Sequence, residues 1–237
     1  MSRFISLLGM VIASILLVGC VSRGPETVEI NIIGQPPSRV LAAIVAMESQ
    51  SAIEFKPIAT QGVIVGFNGL ITKFLENYAG DLLNRYASGM KLIMAKDDLP
   101  LVADDFWISQ RENQEVVVMG FSNNDSFFGL GGRNAFLKKL EKLGVTVDLL
   151  VLFDDVWEGE IPANVEGVIN IYTGNLITGR AVTTERLRGQ ETWVVNVFFS
   201  RLDHSRLPLC EGGVKSAYEE FTRKYYTTLI LAALEPE

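Results

Sequence analysis

The sequence predicts an α/β protein built on a doubly wound, mostly parallel β-sheet with helices on both faces. Two observations carry that expectation. Short, unbroken apolar runs of strand length recur along the chain, as strands buried on both faces of a parallel sheet require. Between several of them lie stretches whose apolar residues fall at three- and four-residue spacing, the signature of amphipathic crossover helices. No internal repeat, proline-rich linker or charge block divides residues 28–237, so they are expected to form one domain.

The elements follow in order. Val28, Ile30 and Ile32 alternate with polar or solvent-side residues as in a strand, and Pro36-Pro37-Ser38 then opens an apolar helix over residues 39–50 with Ser38 as its N-cap. Gly62-Val63-Ile64-Val65-Gly66-Phe67 reads as a fully buried strand. Ile71, Phe74, Leu75, Tyr78, Leu82 and Tyr86 lie on one helical stripe that stops at Gly89. Further strands are predicted over 91–95, 115–119, 147–153, 165–172 and 192–199, and helices over 103–111 and 133–143. A last helix places Val214, Tyr218, Phe221, Tyr225 and Leu229 on one face.

Composition narrows the function. The 237 residues are 48% hydrophobic, enough for a substantial core, and 21 Lys and Arg against 28 Asp and Glu leave a formal charge of −7. That balance repels a phosphate backbone and argues against nucleic acid as a ligand. Two cysteines and one histidine are too few for a His/Cys zinc site or a disulfide framework, and no metal or other cofactor is expected. Trp107, Trp157 and Trp193 are not clustered in sequence and read as packing residues. Gly129-x-Gly131-x-x-Asn134 lacks the third glycine of a dinucleotide fingerprint and starts nine residues beyond Gly120, so that reading is rejected.

The N-terminus reads as a targeting segment. Arg3 precedes an apolar run, residues 4–18, too short to cross a bilayer as a stable helix, and the run ends in Leu17-Val18-Gly19-Cys20. These four residues resemble the lipobox of bacterial lipoproteins. The resemblance implies a signal peptide over 1–19, a diacylglycerol on the Cys20 thiol and a lipidated tether over 20–27. Cys210 would then be the remaining thiol. Val21 stands where an aspartate would resemble an inner-membrane retention signal, so the expected location is the outer membrane, facing the periplasm.

Chemistry is suggested where the strand over 115–119 ends, in Gly120-Phe121-Ser122-Asn123-Asn124. The string resembles the G-x-S-x-G nucleophile elbow of the α/β-hydrolases, with Asn124 in place of the second glycine. The single histidine, His204, follows the last predicted strand, and Asp154-Asp155 ends the strand over 147–153, between serine and histidine in chain order. The stretch 115–208 therefore looks like a lipase- or thioesterase-like α/β-hydrolase. That resemblance implies Ser122 as nucleophile, His204 as general base and Asp154, or alternatively Asp155, as the orienting acid. It places the oxyanion hole at the backbone N–H of Asn123 and a second from the Phe67-Asn68-Gly69 loop, and implies a small acyl ester or thioester as substrate.

The polar, glycine-rich continuation 123–132 departs from the family and supports the alternative, a non-catalytic envelope lipoprotein on a degenerate hydrolase-like scaffold that binds a protein or glycan partner. A second resemblance covers the first half of the chain. The order of 28–55, 62–67, a helix and Asp105-Phe106-Trp107-Ile108-Ser109 is similar to the small β-α-β-β-α-β modules of secretins and TonB-dependent receptors, which implies an envelope protein partner.

Overall fold

The computed structural model describes residues 28–49, 56–67, 74–94, 114–121, 132–154, 159–173, 179–200, 202, 207 and 216–235. The expected signal peptide and tether, the helix predicted over 103–111, Trp107, Trp157 and Val214 lie outside the described residues.

Seven strands form one sheet: β1 (Val28–Ile33), β2 (Gly62–Phe67), β3 (Met90–Met94), β4 (Glu115–Phe121), β5 (Val147–Phe153), β6 (Val165–Thr173) and β7 (Trp193–Phe199). Their order is β1-β7-β6-β5-β4-β2-β3. Every neighbouring pair is parallel except β1 with β7, which run antiparallel with Val28 opposite Phe199. The mostly parallel α/β sheet expected from the apolar runs is therefore present. All six residues of β2 are buried, which explains why its run is uninterrupted by polar side chains.

Four helices are described: α1 (Ser38–Glu48), α2 (Phe74–Tyr86), α3 (Arg133–Lys142) and α4 (Ala217–Leu234). Residues of α1, α2 and α4 share one buried cluster with Ile64, Val117, Val151, Ile169 and Val195 of the sheet. Phe136, Leu137 and Leu140 of α3 share the other with Val65, Val118, Leu150, Val168 and Val194. The reversal after β3 accounts for the separation of α2 and α3. The chain passes from β2 outward to β3, then returns to the other side of β2 at β4, so right-handed crossovers in the two directions fall on opposite faces. Beyond α3, the second face is covered over β6 and β7 by irregular chain including Ile161, Val182 and Leu187.

Three local expectations are corrected. Ser38 is not the N-cap of α1: Pro37 is, with φ −50° and ψ 145°, and its carbonyl accepts from Val40 and Leu41. A proline with its fixed φ makes the turn into the helix, and Ser38 becomes the first helical residue. The strand predicted over 115–119 continues to Phe121, because Gly120 and Phe121 still pair with Leu152 and Phe153. The buried face of α4 is rotated from the predicted one. Thr222, Tyr225, Tyr226, Leu229 and Ile230 point inward and Phe221 outward, with Tyr218 and Tyr225 flanking its ring. The start of α4 is fixed by Ser216, whose side chain accepts from the Glu219 N–H at 3.2 Å, half of a capping box.

Candidate functional site

In a parallel sheet the strands present their carboxyl ends together, and a crevice opens there between the strands where the connection reverses. Here that point lies between β2 and β4, with Phe67 opposite Gly120 at the ends of the two strands. β5 is the next neighbour of β4, and Phe121 pairs with Phe153 in its last register.

Asp154 follows directly. It is fully buried, and its φ of 50° makes it the one non-glycine among the described residues in the left-handed region. Aspartate tolerates that region better than most L-residues, but at a cost that surrounding bonds must offset. They do: the Asp154 N–H donates to the Ile171 carbonyl at 2.7 Å, Oδ1 accepts from the Thr173 N–H at 2.9 Å and Oδ2 from the Thr173 hydroxyl at 2.8 Å. Gly179 packs onto the same carboxylate so closely that a Cβ there would stand 2.4 Å from Oδ1.

Arg133, the first residue of α3, is also fully buried. Its guanidinium lies across the end of β4, where a Cβ on Gly120 would come within 2.4 Å of Nη1. A larger residue at 120 would force this side chain to shift. Phe67 is buried as well, with its ring 5.6 Å from that of Phe136. The carboxyl edge of β2, β4 and β5 therefore brings together Phe67, Gly120, Arg133 and Asp154.

Of the residues singled out from sequence, Phe67 and Asp154 are placed at this edge. Ser122, Asn123, Asn68, His204, Asp155 and Cys20 lie outside the described residues. Three residues were missed. Thr173 marks the end of the strand predicted over 165–172, and Gly179 opens Gly179-Arg180-Ala181-Val182 within the stretch that resembles the α/β-hydrolases, but neither string points to a contact with Asp154. Arg133 falls at i, i+3, i+4 and i+7 with Phe136, Leu137 and Leu140, on the stripe that faces the sheet.

The opposite edge is acidic. Glu115, Asp148 and Glu166 begin three adjacent strands. Burial, reinforced by Asp148 and Glu166, pushes the Glu115 carboxyl up to about 7, and in its protonated form it donates to Asp148. Asp148 is itself raised by burial, although its Oδ2 accepts from the Val116 N–H at 2.7 Å. Among the described residues no group of His, Cys, Asp and Glu is arranged to hold a metal ion. An open groove of about 600 Å³ also lies at this end, lined by Asn164, Glu166, Gly189, Thr192 and Trp193 among others. It is remote from Asp154, at the start rather than the finish of β6 and β7.

Compared with known proteins, the chain matches no family model, no curated protein and no solved structure.

Proposed function

We propose that the protein is a membrane-tethered serine hydrolase of the α/β-hydrolase type, cleaving an acyl ester or thioester at the carboxyl edge of β2, β4 and β5. The observation that carries this reading is register. Phe121 of β4 pairs with Phe153 of β5, and the next residue along each chain is Ser122 on one side and Asp154 on the other. The loop that would supply the second oxyanion donor follows Phe67, which pairs with Gly120. The left-handed backbone at Asp154 adds support, since residues held in sparsely populated conformations cluster at functional sites.

In this mechanism the Ser122 hydroxyl oxygen bonds to the acyl carbon while His204 takes its proton. The oxyanion is held by the N–H of Asn123 and one from the 67–69 loop. The C–O or C–S bond to the leaving group then breaks, and His204 returns the proton to the departing alkoxide or thiolate. Water repeats the sequence on the acyl-enzyme and releases the acid. Asp154 holds the imidazole and stabilises its charged form. The Thr173 N–H and hydroxyl would fix the carboxylate for that task. Diacylglycerol on Cys20 would keep the domain at the outer membrane, facing the periplasm.

The same two bonds favour a second reading. A carboxylate that accepts from Thr173 through both oxygens is also well suited to pinning β5 to β6 in a scaffold that binds an envelope protein or glycan without catalysis.

Labelling of the full chain with a fluorophosphonate probe separates the two. The hydrolase reading expects labelling of the parent, none in Ser122→Ala, and strong loss in His204→Ala and Asp154→Asn with the fold intact by circular dichroism. A folded parent that never labels refutes it in favour of the binding scaffold.

A further inference from the structure

α1 is apolar on the wrong side as well as the right one. Its inward residues, Val40, Ala43, Ile44 and Met47, fill the core beneath it. Its outward residues should be charged or polar in a helix that faces water. Instead they include Leu41, Ala42 and Val45, with Val45 64% exposed and Leu41 40%. Leu41 and Val45 are one turn apart and therefore adjacent on the surface. No charged side chain lies between Arg39 and Glu48, and Arg39 turns inward to donate to the Ala232 carbonyl at 2.8 Å. Ile32 is 40% exposed on the neighbouring edge strand, and Phe221 of α4 is 38% exposed.

The chain that precedes β1 indicates what covers this face. Val28 pairs with Phe199, the Phe199 ring stands 5.8 Å from that of Tyr225, and Glu48 at the end of α1 is close enough to Tyr225 to raise its hydroxyl pKa. The last turn of α1 thus returns to the end of β1 at which residue 28 enters. Seven residues, 21–27, separate that point from Cys20 and span about 25 Å at full extension. An 11-residue helix is about 16 Å long. A bilayer holding acyl chains on Cys20 therefore lies within reach of the whole outer face of α1.

We propose that the outer face of α1, centred on Leu41 and Val45 and flanked by Phe221, rests in the apolar boundary of the phospholipid bilayer that holds the Cys20 anchor. This rests on the lipoprotein part of the function proposed above and is independent of the hydrolase part. The contact is apolar: the outer face of α1 between Arg39 and Glu48 carries no charge, Lys224 beside Phe221 is paired with Glu220 at 3.0 Å, and the chain carries a formal charge of −7. Binding through α1 is thus expected to be insensitive to salt. It fixes the orientation of the domain on the membrane, with the face covered by α3 turned away.

The test uses the full chain produced in a bacterial host and reconstituted into neutral phosphatidylcholine vesicles with brominated acyl chains. Val45→Trp is compared with Lys138→Trp on the exposed side of α3, each read as the difference from the parent. An interfacial apolar face sinks roughly 5–10 Å into the headgroup and acyl boundary, so Trp at 45 is expected to shift to the blue and lose most of its emission to bromine. Trp at 138 should change in neither respect. A chain that carries the mass of the lipid and floats with the vesicles, but shows no quenching at 45, overturns the α1 contact while leaving the anchor in place. A chain without lipid mass that stays off the vesicles overturns both. A dimer in detergent that Leu41→Asp with Val45→Asp converts to monomer, again without quenching at 45, gives the face to a second copy and also overturns the proposal.

Discussion

Replacing Glu115 by glutamine should stabilise the protein above neutral pH and leave it unchanged in acid. Glu115 is half-buried at the start of β4, beside Asp148 and within reach of Glu166, and Arg39 offsets this only in part. Its carboxyl is raised from 4.5 to about 7, chiefly by burial and next by the charge of Asp148. The folded state therefore holds the proton more tightly than the unfolded state does. The stability this gives is fully present below pH 4.5 and is lost as pH rises through about 7. A tenfold change in proton affinity corresponds to about 1.4 kcal/mol, and solvent screening at a half-exposed site cuts the total loss to roughly 1.5 kcal/mol. Glutamine keeps the shape and a donor toward Asp148 but cannot ionise. Urea unfolding of parent and Glu115→Gln from pH 4 to 8.5 should give curves that coincide at the acid end and separate by about 1.5 kcal/mol at the alkaline end, the variant being the more stable. Parallel pH profiles would refute the reasoning, because they would mean that Glu115 titrates alike in both states.

Two further substitutions probe the packing. Gly167→Ala places a Cβ 2.1 Å from Cζ2 of Trp193, so the largely buried indole must shift toward the groove it lines, and a loss of about 2 kcal/mol in urea unfolding is expected, with a changed near-ultraviolet tryptophan signal. A cost near zero would show that the indole moves aside freely. Asn196→Ala removes a side chain that accepts from the Val182 N–H at 2.7 Å, donates to the Val182 carbonyl at 2.9 Å and accepts from Asn170 at 2.8 Å. It should destabilise the fold by about 2–3 kcal/mol and open Arg180, Arg186 and Arg188 to trypsin, whereas an unchanged digestion pattern would contradict the role assigned to this amide.

The strands were legible because a parallel sheet covered on both faces imposes unbroken apolar runs, and 62–67 and 149–153 carry them within β2 and β5. Sheet order was not legible. Nothing in Val-Glu-Ile-Asn-Ile-Ile shows that β1 joins antiparallel at β7 rather than beside β2, since edge pairing depends on where the loops allow the strand to lie. The candidate site was legible as a place, the end of β4 and β5, because the acidic pair after the apolar run marks the end of β5, whereas Gly120 belongs to β4, which ends one residue later at Phe121. Its supporting residues were not legible. Arg133 sits on the apolar stripe of α3, but a charged side chain at a helix start is ordinarily solvated, and its burial depends on the space left by Gly120 on a different element.

The polar interruptions in the strands carry the remaining lesson. Asn170 and Asn196 sit in the middle of β6 and β7, where a fully apolar residue would be expected, and they lie opposite each other in register. Each is buried, and an amide at such a site is tolerated only with partners. Asn196 supplies them by treating the Val182 backbone as a further strand, bonding to both its N–H and its carbonyl, while Asn170 donates to the Arg180 carbonyl at 2.9 Å. The two amides thereby fasten irregular chain across β6 and β7 on the face where α3 covers the other strands, and Val182 completes the apolar layer beneath. The same segment begins at Gly179, against the Asp154 carboxylate. Loosening the asparagine pair should therefore disturb Asp154 from a distance, and the two asparagines, which look like defects in apolar strands, belong to the support of the candidate site.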